Sequence, residues 1–212
     1  MSDNPFSLAS SGSWRPNAVA GGYYCHPYIF IEGYYKAADI LSSSAINDSQ
    51  RLSDLRLLFH PVCYSYRHFI ELNLKYLIVK SEKLYSILEK LGSTKGKLAE
   101  YVEPKLVATH KLETLLNWLN ERSKFIDGKG LDKELRDVIM YLDAIDPDGQ
   151  NFRFSSRTDG SSSFPNQFGS DLTILRKNME RVHSDFMGFD DYWGEQIREA
   201  SELLHESNNS ID

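Results

Sequence analysis

The stretch 61–80, PVCYSYRHFIELNLKYLIVK, limits what this chain can fold into more than any other segment. Wound at about 100° per residue, it spreads Val62, Cys63, Tyr66, Phe69, Ile70, Leu72, Leu74, Tyr76 and Leu77 over an arc of roughly 200°. A helix apolar around that much of its circumference has to be enclosed by other elements rather than laid on a surface. The remaining wedge, about 100° wide, holds Arg67, His68, Glu71 and Lys75. Two readings of that wedge are open. Arg67–Glu71 and Glu71–Lys75 are favourable i,i+4 pairs, which fits a solvated face or an ion pair at a helix interface. The wedge also has the chemistry of an active-site wall, where an Arg steadies phosphate charge, a His moves a proton and a carboxylate sets that His.

The segments around it read as further helices. Phe30, Tyr34, Ala37, Ala38 and Leu41 recur at three- and four-residue steps, which predicts a helix over 29–45. Residues 47–53 are polar and turn-like, and Pro61 suits the first position of the central helix, where its missing N–H costs nothing. That helix is expected to reach 80–91 with a break near Ser81. Residues 92–104 form a connector, after which Thr109 can cap a helix carrying Leu112, Leu115, Leu116 and Leu119. His110 would then sit in the first helical turn, where the macrodipole favours its neutral form, as a base or as a side chain closing the helix start. Gly128 and Gly130 interrupt, a helix follows over 131–145, and two more segments cover 171–186 and 192–205. The expected architecture is an all-α helical bundle: an irregular N-terminal segment over 1–22, one helical domain over 23–205 and a flexible tail over 206–212.

Residues 146–170, DPDGQNFRFSSRTDGSSSFPNQFGS, have no helical period. Loops of this length are uncommon in compact domains and are usually functional or disordered. Phe152, Phe154, Phe164 and Phe168 are too many aromatics for a plain linker. Phe152 and Phe154 alternate around Arg153, and Thr158-Asp159-Gly160 supplies a tight turn, so a small hairpin is expected, with both rings on one side and Arg153 on the other. A long surface loop stapled by its aromatics is the other reading.

Composition removes several function classes. The 212 residues carry 24 Lys+Arg against 30 Asp+Glu, a net charge of −6, which excludes a broadly basic surface gripping nucleic acid by charge alone. Cys25 and Cys63 cannot make a disulfide scaffold, and without Cys-x-x-Cys there is no sequence-local zinc clamp. The N-terminus lacks the pattern of a signal peptide, and no apolar run approaches the roughly 20 residues that span a bilayer. The expectation is a cytoplasmic protein without membrane association, metal or cofactor. No phosphate-binding glycine loop, HExxH or GxSxG is present, and Trp14, Trp118 and Trp193 read as core or interface residues rather than base-stacking platforms.

Four blocks in order, GYYKAADIL (33–41), YRHFIELNLK (66–75), THKLETLLNWL (109–119) and DPDGQNFRFSSRTDG (146–160), resemble a group of bacterial HEPN-like helical domains over about residues 30 to 190. That resemblance implies an all-α bundle, often a homodimer, from a superfamily tied to toxin–antitoxin and anti-phage defence. Its catalytic members look like metal-independent ribonucleases, while many relatives are non-catalytic partner-binding modules. On the ribonuclease reading, Arg67 and Arg153 would contact phosphate, His68 or His110 would shuttle the proton, Glu71 would orient the His, and Lys75 and Arg157 would help hold RNA. The superfamily signature, an Arg, four to six intervening residues and then a His on one helix, has two literal matches, Arg176…His183 and Arg198…His205. Both lie outside the four blocks, whereas Arg67-His68 lies inside them without the spacing.

Overall fold

A computed structural model of the chain describes residues 25–47, 52–94, 98 and 103–209. These form six helices and no strand: α1 (Pro27–Asn47), α2 (Leu52–Lys90), α3 (Glu103–Ala108), α4 (Leu112–Asp127), α5 (Lys133–Ile145) and α6 (Leu172–Asn209). The all-α bundle expected from the apolar periodicity is therefore what the chain adopts. The irregular segment at 1–22, Trp14 and the middle of the 47–53 turn lie outside the described residues.

The wide apolar arc makes α2 the hub, packed against α1, α4 and α6. Val62, Tyr66, Phe69, Ile70, Leu74 and Leu77 are completely buried along it. Residue pairs across the interfaces fix the directions. Tyr34 meets His68 while Ser42 meets Tyr66, so α1 runs antiparallel to α2. Phe69 meets Phe186 and Lys80 meets Asp190, so α6 runs parallel to it. Trp193 closes the core from α6, its indole N–H donating to Asp127 on α4 at 3.0 Å.

Several boundaries depart from the sequence reading, each for a visible reason. Pro61 lies inside α2 rather than at its start. Both Pro61 and Leu57, whose carbonyl loses its partner, are exposed, so solvent can replace the missing bond. Ser81 does not break the helix, because its hydroxyl donates back to the Ile78 carbonyl at 2.6 Å. The two segments expected over 171–205 are one helix; Gly194 within it leaves room for Lys80, whose amine stands 3.2 Å from where a Cβ would be. The short α3 was not expected; only its first two residues fall in the 92–104 connector.

Thr109 does not cap α4. The helix begins at Leu112, and Leu112 N–H donates at 2.8 Å to Asp143, a buried carboxylate reaching over from α5. A cap supplied by another helix has no local sequence signal. At its far end α4 stops on Gly128, whose φ of 71° is the left-handed conformation glycine adopts without penalty.

The 146–170 segment is a compact loop, not a two-stranded hairpin with extended arms. One antiparallel bridge, Ser156 to Ser162, surrounds the Asp159-Gly160 turn. Residues 151–153 are themselves a turn, so Phe152 and Phe154 do not share a side: Phe152 is buried and Phe154 is 49% exposed. Phe152, Phe164 and Phe168 stack on one another and on Phe59 of α2, which staples the loop to the bundle. Asp143→Ala is expected to lower stability by about 1–2 kcal/mol in urea unfolding, whereas Thr109→Ala costs only a few tenths; equal effects would contradict the interhelical cap.

Candidate functional site

Three of the four sequence blocks converge on the Arg67 guanidinium. Arg67 projects from the middle of α2 and is 2% exposed. All three of its nitrogens are engaged. Nε donates to the Asp146 carbonyl at 2.9 Å, Nη1 to Glu71 Oε2 at 3.0 Å, and Nη2 to the His110 carbonyl at 2.6 Å. The Asp146 carboxylate adds an ion pair, its Oδ2 standing 3.3 Å from Nε, while Oδ1 accepts from Asn151 N–H at 2.8 Å. Gly149 covers the guanidinium: a Cβ there would lie 2.8 Å from Nη1, and its φ of +76° is strained for other residues.

Glu71 shares its other oxygen. Oε1 accepts from the Lys75 amine at 2.8 Å and lies 2.9 Å from His110 Nδ1. Burial pushes the Glu71 carboxyl up, but the hydrogen bonds from Lys75 and His110 outweigh it and hold the group below its ordinary range. Lys75 also reaches the Val107 carbonyl at 3.4 Å. Arg67 and Lys75 thus face Glu71 and Asp146, two cations balanced by two anions. His110 precedes α4 rather than sitting in its first turn, and its ring is 58% exposed. Of the wedge, Arg67 and Glu71 are buried, and Lys75 and His68 are half-buried.

His68 points to a different set of neighbours. Its ring stacks on Tyr64, centroids 5.6 Å apart and planes 10° from parallel, and meets Tyr34 of α1 edge-on at 4.4 Å. Burial lowers the His68 pKa, and the nearby cations Arg67, Lys75 and Arg153 add to that against the opposing pull of Glu71. Arg153, delivered by the loop, lies over the other aromatic groups, 5.9 Å from the Tyr64 centroid and 5.0 Å from that of Phe154. It is exposed, and no carboxylate among the described residues pairs with it. Arg157 sits further along, its Nη2 donating to Asn151 at 3.2 Å, which makes it a brace within the loop.

One face of α2 therefore carries Arg153, Tyr64, His68 and Tyr34 at one end and the Glu71–Lys75–His110 cluster further along. Beyond Lys75 it opens on an apolar hollow lined by Phe30, Leu72, Val79 and Val107. The sequence reading missed Tyr64 and Asp146. Tyr64 is four residues before His68, so helical spacing alone could have paired them. Asp146 and Gly149 gave no such signal, because their link to Arg67 depends on the path of the chain.

Both signature arginines on α6, and His183, are held by carboxylates. Arg176 grips Asp39 of α1 at 2.5 and 3.2 Å, and His183 lies 2.8 Å from Glu32 with its ring stacked on Tyr35. The pair joins α1 to α6 in a setting with more acid than base. Arg198 pairs with Glu195 and His205 contacts Asn209, both on the exposed end of α6. No group of three or more His, Cys, Asp or Glu among the described residues is arranged to hold a metal ion, and no described helix is long and apolar enough to cross a membrane.

Comparison with known protein families, with curated proteins and with solved structures returns no match. Gly149→Ala is expected to destabilise the protein by more than about 1 kcal/mol, since it adds a strained φ to a clash with Arg67. Gly160→Ala, also at positive φ but with open space around it, should cost less. Urea unfolding of the two variants makes the comparison; equal losses would mean the Arg67 contact contributes nothing.

Proposed function

We propose that this chain is a HEPN-like helical protein of the cytoplasm that acts on RNA, with its ligand face along the outer ridge of α2. The observation that carries this reading is the juxtaposition of Arg153, unpaired among the described residues, with a His68 whose pKa is lowered. A guanidinium resting on aromatic rings is a suitable contact for phosphate, and the exposed Phe154 with the half-buried Tyr64 offers base-stacking surface that tolerates any sequence. In this reading Arg67 is not a phosphate ligand. Each of its nitrogens is engaged within the chain, and its part is to hold Glu71, His110 and Asp146 in place.

The chemistry would be attack of a ribose 2′-oxygen on the adjacent phosphorus. The P–O2′ bond forms, the P–O5′ bond breaks, and the 2′ proton passes to neutral His68. His110, exposed and oriented by Glu71, is the side chain available to protonate the 5′ oxygen. The products are a 2′,3′-cyclic phosphate and a 5′-hydroxyl, and no step requires a metal.

A second reading has its own support. The charge balance around Arg67 and the exposed Phe30, Val79 and Val107 beside Lys75 suit a non-catalytic module that binds a second copy or a protein partner from a defence or toxin–antitoxin system. RNA discriminates between the two. The full-length protein is incubated with total RNA and with tRNA in EDTA, alongside Arg153→Ala and His68→Gln. The ribonuclease reading expects fragments ending in cyclic phosphate, with His68→Gln slower by about 10²–10⁴-fold. Because the pKa of His68 lies below the ordinary 6.5, cleavage should persist somewhat below that pH and fail on further acidification, as the base becomes protonated. Neither cleavage nor retention of RNA would discard this reading in favour of the partner-binding module.

A further inference from the structure

Between α2, α5, α6 and the 146–170 loop lies a cavity of about 200 Å³ that the α2 face does not use. Its walls are Phe59 and Cys63 from α2, Leu142 from α5, Met179 from α6, and Phe152 and Phe168 from the loop. The hollow is half-open, its mouth bordered by the exposed Tyr141 and Ile174, and a concave, mostly apolar recess of this kind is where small ligands seat. Its chemistry restricts what an occupant can be. None of the residues lining it is charged. The polar groups it offers, on Tyr141, Ser170 and Asn178, belong to exposed residues and so stand at the rim. An ionised ligand would lose its hydration here without a partner, whereas an apolar cavity of comparable size is known to stay dry and take up benzene.

We propose that this cavity is a binding site for a small, neutral, aromatic molecule, closed on one side by Phe152 and Phe168. Ring-on-ring contact favours an aromatic over an aliphatic guest, since Phe59, Phe152 and Phe168 present ring surface to the same space. One or two fused rings fill the volume. Cys63 contributes wall rather than reactivity, because burial pushes its thiol up to about 12 and keeps it neutral. The site is independent of the ribonuclease reading, although Phe152 is the neighbour of Arg153 and one turn of backbone serves both places.

Indole is the probe. It is titrated into the full-length protein by calorimetry, next to indole-3-acetate, which carries the same rings and a charge. Saturable one-site binding of indole is expected, with indole-3-acetate weaker by about tenfold or more. Cys63→Leu, which fills the cavity with apolar volume on a helix that tolerates leucine, should weaken indole by about tenfold while retaining the helical circular dichroism. A second measurement stands if that variant fails to fold. Ser170→Trp, at an exposed rim position in the loop, puts a bulky ring across the mouth and should likewise weaken indole by about tenfold in the same titration. Absence of saturable indole binding overturns the proposal. So does binding that neither Cys63→Leu nor Ser170→Trp weakens, since the probe would then be seated elsewhere, and so does equal binding of the charged analogue.

Discussion

The structure depends on one buried cation. Arg67 is taken out of water at the centre of α2, and a guanidinium in that position is tolerable only with every donor matched. The chain meets that demand from three distant places: Glu71 one turn along the same helix, the His110 carbonyl before α4, and the carbonyl and carboxylate of Asp146 where α5 ends. Together with the Leu112–Asp143 bond, which joins the start of α4 to the end of α5, these contacts set where α4 begins and where the long loop leaves the bundle. The apolar arc of α2 supplies the drive for collapse; Arg67 selects which collapsed arrangement satisfies its charge. Gly149 completes the arrangement by letting backbone close over the planar group without a side chain between them.

That placement has consequences for the surface. Since Arg67 and Asp146 anchor the start of the loop, and the Phe152–Phe164–Phe168 cluster anchors the rest of it to α2, Arg153 is held outward against Tyr64 at a defined position. The pairing also separates two roles within a single polar wedge. Arg67 and Glu71 face inward and hold elements together. His68, the residue after Arg67, and Lys75, one turn beyond Glu71, border open surface. Clasps elsewhere, Arg176 with Asp39 and His183 with Glu32, use the same pattern of cation and carboxylate to seat α1 against α6.

What the sequence conveyed and what it withheld divides along the range of the interactions. The Arg67–Glu71–Lys75 ladder was legible because i,i+4 geometry is set by the helix itself. The wide apolar arc marked α2 as central for the same reason. Pro61 misled because its local preference was weighed without its surroundings: it faces solvent, which can replace the hydrogen bond it removes. The cap on α4 came from Asp143 rather than Thr109, a contact spanning two helices. Which reading of the wedge applied could not be decided from the helix alone, since the partners of Arg67 at His110 and Asp146 lie 43 and 79 residues away. The alternation of Phe152 and Phe154 looked like a strand, but the Asp146 carboxylate and the Gln150 carbonyl bind the backbone there into turns.

A double-mutant cycle between Arg67 and Glu71 addresses the central claim most directly. Arg67→Met, Glu71→Gln and the double variant would be unfolded in urea. Arg67→Met strands the buried carboxylates of Glu71 and Asp146 and should cost about 3–5 kcal/mol; Glu71→Gln leaves Arg67 paired with Asp146 and should cost less; the double change should cost clearly less than the sum, leaving a coupling of about 1–3 kcal/mol. Small single effects that simply add would contradict the account, because they would mean the fold does not rest on satisfying this cation.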